Sequence, residues 1–213
     1  MMDSSFWHQK WEKHEIAFHE SKANPLLVKH FNELSVAKGS RIFVPLCGKT
    51  LDISWLLSNG SRVAGAELSQ VAIEQLFMDL GLQPEISTVG EVEQWSANRL
   101  DIFVGDIFAV SRKMLGPVDA IYDRAALVAF PEAMRNRYTT HLTEITHKAP
   151  QLLISYDYDQ SVMQGPPFSV RNEEVHRHYA DHYELTLIAS TDVPGGLKGK
   201  CAAKENVWRL TSK

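Results

Sequence analysis

The sequence predicts a doubly wound α/β fold, and three observations predict it. Apolar runs of strand length alternate with segments of helical periodicity, no repeat or Pro/Gly/Ser-rich linker interrupts the alternation, and 213 residues suffice for a single domain. Strands that alternate with helices form a mostly parallel sheet, because right-handed crossovers place helices on either face.

The elements follow in order. Arg41 to Leu46 (RIFVPL) is a short apolar run of the kind found in buried parallel strands. Thr50 to Ser58 then reads as helix, stopped at Asn59-Gly60. Arg62 to Leu68 is the second strand. Ser69 is placed to cap a helix whose Ile73, Leu76, Phe77 and Leu80 recur at helical spacing, with Gly81 as its stop. Leu100 to Val104 and Val118 to Tyr122 are the third and fourth strands. Pro131 opens a helix with Met134, Tyr138, Leu142 and Ile145 on one face. Gln151 to Tyr156 is the fifth strand, and Val175 to Tyr179 lies in a helix. Tyr183, Leu185 and Leu187 alternate with Glu184 and Thr186 as a half-buried strand, and Val207 to Leu210 pairs with it. The expectation is a seven-stranded core over 39–213, preceded by a helical N-terminal cover over 1–38, in one domain.

Composition narrows the function. A chain with 44% hydrophobic and 23% charged residues is neither disordered nor fibrous. At this length a domain buries about 70% of its unfolded surface, so no disulfide or structural metal is required. Lys and Arg total 22 against 26 acidic residues, a net charge of −4, and the basic residues are scattered, which argues against a nucleic-acid partner. Cys47 and Cys201 show no metal-ligand or redox spacing and read as free thiols. The N-terminus MMDSSFWHQKWEKHE has no signal-type apolar stretch, and no run approaches the roughly 18 apolar residues of a membrane span. A cytoplasmic monomer acting on a small molecule, with no membrane partner and no metal, is expected.

Ligands of doubly wound sheets bind beyond the C-terminal strand ends. Four places qualify: Pro45 to Lys49, Glu67, Gly105-Asp106 and Asp123-Arg124. In the loop PLCGKT, Gly48 permits close backbone approach at a helix start, although a tight turn alone would also require it. Glu67 ends the second strand nineteen positions later, close to the spacing at which a carboxylate grips the two hydroxyls of a ribose. A solvent-facing glutamate is the plain alternative. Asp106, in VGDIF, can accept from an exocyclic amino group while Ile107 and Phe108 flank a planar base, or it can simply cap the turn that follows. A glycine loop, a ribose acid and a base-edge acid describe an adenosine site. Without G-x-G-x-x-G or a phosphate loop, the ligand that fits is S-adenosylmethionine rather than NAD or ATP. Arg124 is a fork of donors for a carboxylate; an ion pair with Asp123 is the alternative, although neighbours in a strand face opposite ways.

The segments FWHQKW (Phe6 to Trp11), FHE (Phe18 to Glu20), PLCGKTLD, GAELS, GDIF, YDRAALVA, YDYDQ and GPPFSV, in this order, resemble the bacterial branch of the thiopurine S-methyltransferase family over nearly the whole chain. The resemblance implies a class I S-adenosylmethionine-dependent methyltransferase fold of Rossmann-like type, N-terminal helices over the cofactor, and methyl transfer to sulfur. By position it implies that Trp11, Leu46, Glu67 and Arg124 bind the cofactor, with Asp106 and Ile107 at its adenine, and the Gly48 loop read above joins them as a cofactor contact. Phe18 is implied as a pocket aromatic, and Pro166, Pro167 and Phe168 would complete a flat apolar slot whose two prolines make a stiff wall. From spacing alone, Phe6, Trp7 and Trp11 form a one-sided helical stripe that reads as packing. Trp11 against a sulfonium would contribute roughly 0.5–2 kcal/mol.

No general base is assigned: His19 and Asp157 are in reach of the role, but a thiolate is itself the nucleophile. Cys47 has no His or Asn placed to activate it, so small-residue packing explains it better than covalent catalysis. The segment PGGLKGKCAAKE offers Lys198 and Lys200 where mammalian members of the family present an arginine, which leaves the acceptor open, selenium and tellurium compounds included. An S-adenosylmethionine sensor without turnover and a nicotinamide oxidoreductase are the readings from other classes.

Overall fold

Five of the apolar runs become the parallel centre of one sheet. The computed structural model describes Gln9, Trp11 and residues 20–213. The strands are β1 (Arg41–Pro45), β2 (Arg62–Glu67), β3 (Glu85–Val89), β4 (Val92–Ala97), β5 (Leu100–Val104), β6 (Ala120–Arg124), β7 (Gln151–Tyr158), β8 (Tyr183–Asp192) and β9 (Ala203–Ser212). Their order is β3-β4-β5-β2-β1-β6-β7-β9-β8, with β5, β2, β1, β6 and β7 parallel and the outer pairs antiparallel. From β1 the chain proceeds outward to β2 and β5 on one side and to β6 and β7 on the other. The switch point therefore lies between β1 and β6, and their C-terminal ends open the crevice where ligands of such sheets bind.

The alternation of side chains along each strand builds two cores. Phe43, Phe103, Ile121 and Leu153 face α4 (Arg112–Leu115), α5 (Glu132–Ile145) and α6 (Asn172–Tyr179). Ile42, Val44, Val63, Leu152 and Ile154 face α1 (Pro25–His30), α2 (Leu51–Ser58) and α3 (Gln70–Asp79). Ser69 caps α3 as expected, accepting from the Ala72 N–H, whereas Thr50 is the cap of α2 rather than its first residue. Among the described residues no helix is long and apolar enough to cross a membrane.

Two buried carboxylates fasten the elements beneath the crevice, one on each face. On the α1 face, Asp52 accepts from the Asn24 backbone N–H at 2.6 Å and from the Tyr122 hydroxyl at 3.0 Å, while the Asn24 side chain caps α1. On the other face, Asp123 accepts from the Leu127 N–H at 3.1 Å and the Tyr138 hydroxyl at 2.7 Å.

Among the described residues the sheet has nine strands where seven were expected. The added pair, β3 and β4, forms an antiparallel hairpin on the edge of the sheet, and because β3 is almost wholly exposed its sequence carries no apolar run. Val89 pairs directly with Val92, leaving a two-residue turn whose first member, Gly90, has φ +63°. That is a turn glycine flanked by two β-branched residues, a readable hairpin signal. At the far edge β8 and β9 pair as expected, each several residues longer than its periodic segment.

Candidate active site

The first loop is built around Glu67. Leu46 leaves β1 with φ +47°, the Cys47 N–H donates to the Ala66 carbonyl at 3.0 Å, and Gly48 follows with φ +49°. The Gly48 N–H then donates to one Glu67 carboxylate oxygen at 2.8 Å, and the Ser69 N–H donates to the other at 2.9 Å. The Glu67 carbonyl accepts from the Gly105 N–H at 2.9 Å. One buried residue thus joins the ends of β1, β2 and β5, and each carboxylate oxygen retains acceptor capacity. Burial pushes the carboxyl upward from its ordinary value, opposed by the N–H groups of Ser69, Gly48 and Leu68. The solvent-facing alternative does not hold, since Glu67 is only 7% exposed.

Trp11 lies on this loop and is buried. A Cβ built at position 48 would fall 2.9 Å from Trp11 Cζ2, so the glycine is needed both for its left-handed backbone and for the indole. Gly48→Ala is expected to cost about 1–2 kcal/mol of stability through that conformation alone, read as a lower denaturation midpoint in urea. Phe18 and His19 lie outside the described residues. Cys47 is buried with its thiol pushed well up, first by burial and then by Glu67, and a Cβ at Gly65 would lie 2.9 Å from its sulfur. Such a thiol fills space and is inert.

Beyond β5, Asp106 is exposed and accepts from the Phe108 N–H at 3.0 Å, capping a short 3-10 turn over Ile107–Ala109. Ile107 turns its side chain into the core. Phe108 is half-buried. Its ring packs against Phe130 and His141, with the Arg137 guanidinium 3.8 Å from its centroid. Beside this turn a cleft of about 510 Å³ runs between the ends of β2 and β5 and the hairpin, lined by Leu68, Ser69, Val71, Val92, Val104 and Gly105.

Arg124 ends β6 and pairs with Glu20, not with Asp123, which points to the opposite face. Burial lowers the Arg124 pKa, but Tyr122, Glu20, Asp52 and Tyr156 together raise it above its ordinary value. Asp157, offered by the sequence as a proton carrier, faces away from Arg124 and lies 3.7 Å from Arg171 in a largely exposed pair. The GPPFSV loop is held at several points. The Phe168 N–H donates to the Val128 carbonyl at 2.7 Å, the Tyr158 hydroxyl to the Pro167 carbonyl at 2.6 Å, and Lys198 Nζ to the Pro166 carbonyl at 2.7 Å. Pro166, Pro167 and Phe168 are all half-buried, and these bonds tie the loop to its neighbours.

Sequence reasoning missed Glu20, Tyr156 and Glu205, which gather around Arg124, although the first two sit in segments that carry the resemblance. Trp11, Leu46, Gly48 and Glu67 form one loop system, with Asp106 and Ile107 at the neighbouring strand end and Arg124 across the switch point. These residues fit an adenosyl ligand: an acceptor carboxylate at the strand ends, a cleft of mixed polar and apolar lining beside it and a guanidinium opposite.

The family model for thiopurine S-methyltransferase matches residues 2–213. The chain is 56% identical over 210 residues to the thiopurine S-methyltransferase of Xanthobacter autotrophicus, covering 98% of this chain and 99% of the relative. It is 51% identical to that of Teredinibacter turnerae, covering 99% and 98%. Among solved structures, the Burkholderia thailandensis 1,6-didemethyltoxoflavin-N1-methyltransferase with bound S-adenosylhomocysteine aligns with TM-score 0.65 at 14% identity, covering 98% of this chain and 87% of that one. A TehB-like methyltransferase from Corynebacterium glutamicum aligns at 0.59 and 14%, covering 99% and 98%; both likenesses speak to the fold. The chain belongs to the thiopurine S-methyltransferase family, with the α/β fold of class I S-adenosylmethionine-dependent methyltransferases.

Proposed function

We propose that this enzyme transfers the methyl group of S-adenosylmethionine to the sulfur of a thiopurine or another aromatic or heterocyclic thiol. The observation that carries the reading is the buried Glu67 carboxylate held by Gly48 and Ser69 at the strand ends, in a chain that matches the family end to end. Bound S-adenosylmethionine supplies a methyl group on a cationic sulfur. Glu67 accepts from the ribose hydroxyls, and Asp106 and Ile107 stand at the adenine. Leu46 and Gly48 line the loop beneath, and Trp11 lies against the cationic region. Arg124 binds the methionyl carboxylate or steadies charge on the acceptor. Pro166, Pro167 and Phe168 keep a flat ring in plane, and the resemblance assigns Phe18 to the same pocket. With no charge to create on the acceptor beyond a thiolate, catalysis rests on alignment at about 3 Å, which can contribute roughly 7–11 kcal/mol.

The test is transfer of labelled methyl to 6-mercaptopurine and thiophenol, with selenite and tellurite as parallel acceptors. Labelled S-methyl product is expected from the thiols. Transfer to selenium or tellurium alone would reassign the acceptor. Tight S-adenosylmethionine binding without transfer to any of them would make the chain a sensor.

A further inference from the structure

Resting on the methyl-transfer reading, we propose that Tyr156 and Glu205 form a proton-receiving pair for the acceptor, the Tyr156 hydroxyl relaying and the Glu205 carboxylate holding the proton. Tyr156 and Glu205 are directly opposite each other in the β7–β9 ladder, so their side chains share a face and each perturbs the titration of the other. Arg124 is opposite Ile154 in the β6–β7 ladder, two residues before Tyr156, and therefore stands on the same face. β6 ends at Arg124 while β7 continues, leaving Tyr156 at the open end of the crevice. The Val170 N–H donates to the Tyr156 carbonyl at 2.7 Å, which fastens the GPPFSV loop to this residue. The pair therefore sits between the guanidinium at the switch point and the wall of the proposed acceptor slot, and both residues are half-buried.

The surrounding charges suit the assignment. Burial, then Glu205, pushes the Tyr156 hydroxyl well up, with Arg124 opposing, so the phenol stays protonated and can only pass a proton on. Burial raises the Glu205 carboxyl from its ordinary value, the Tyr156 hydroxyl and Arg124 oppose, and Glu20 adds to the rise. Such a carboxylate holds a proton more readily than an exposed one. On the β8 side Glu205 faces Thr191, which carries no charge, and the adjacent Asp157 and Lys204 alternate to the opposite face.

In the balanced step, the acceptor sulfur forms its bond to the methyl carbon as the sulfonium–methyl bond breaks, its electron pair remaining on the departing sulfur. The acceptor proton, from S–H or from the ring N–H of a thione, passes to the Tyr156 oxygen as the phenolic proton passes to Glu205. The carboxylic acid then releases it to water. No oxidant or further reactant is involved.

The experiment compares two acceptors in the full-length protein with saturating S-adenosylmethionine: 4-nitrothiophenol, ionised at neutral pH, and phenylmethanethiol, mostly protonated there. Glu205→Gln and Tyr156→Phe are expected to lose about tenfold or more on phenylmethanethiol relative to their loss on 4-nitrothiophenol, the gap closing as pH rises and the thiol ionises. Equal losses on the two acceptors, or a pH profile unchanged from that of the parent, would overturn the relay. If Glu205→Gln does not fold, Tyr156→Phe alone decides, since it keeps the ring. Failure of the parent protein to methylate either acceptor would instead remove the thiol reading on which the pair rests.

Discussion

Glu67→Ala is expected to weaken S-adenosylhomocysteine binding by about 5- to 150-fold, the equivalent of about 1–3 kcal/mol in lost ribose hydrogen bonds. The same substitution leaves the buried N–H groups of Gly48 and Ser69 without their acceptors, each at a cost of about 1–3 kcal/mol, partly offset because a carboxylate no longer has to be buried. A fall of about 2 kcal/mol or more in unfolding free energy is therefore expected alongside the lost affinity. Glu67→Gln keeps one acceptor oxygen and should fall between the two proteins in both measurements. Calorimetric titration and urea denaturation on the same preparations separate the effects. A variant that loses stability while its dissociation constant is unchanged would make Glu67 a clamp for the strand ends and nothing more.

Asp123→Asn is expected to stabilise the protein at neutral pH. Burial raises the Asp123 carboxyl from 3.8 to about 6, with the Tyr138 hydroxyl and the Leu127 and Ala126 N–H groups opposing. Between pH about 4 and about 6 the folded state therefore holds a proton that the unfolded chain has released, and stability falls as pH rises through that window. Below it both states are protonated, and above it both are ionised with a penalty of about 3 kcal/mol in place. The asparagine oxygen can still accept from Leu127, and its amide can donate to the Tyr138 oxygen, mimicking the protonated acid. The variant should match the parent near pH 4 and exceed it by up to about 3 kcal/mol at pH 7. Equal unfolding free energies at pH 7, or a parent whose excess slope relative to the variant has the opposite sign, would contradict the assignment.

The parallel centre of the sheet was legible because strands buried on both faces are apolar along their buried length, as IFVP and VAGA are. The hairpin over Glu85–Ala97 was not, because an edge pair needs no such run, and only the Val89-Gly90-Glu91-Val92 turn marked it. The placement of Glu67 and the separation of Arg124 from Asp123 followed from strand-end position and alternation. The groups that surround Arg124 could not follow in that way. Glu20 is 104 residues distant in sequence, and Glu205 reaches Tyr156 only because β9 inserts antiparallel between β7 and β8. Asp106 shows the opposite limit: the residue was found, but its visible bond is the turn cap, and Phe108 spends its ring on Arg137, Phe130 and His141.

The most direct test of an adenosyl site spanning the ends of β1, β2, β5 and β6 is a crystal structure with S-adenosylhomocysteine bound. The expected density places the ribose hydroxyls on Glu67, the adenine beside Asp106 and Ile107, and the homocysteine carboxylate within reach of Arg124. Ribose hydroxyls on any other carboxylate, or a nucleoside lying away from these strand ends, would contradict the account.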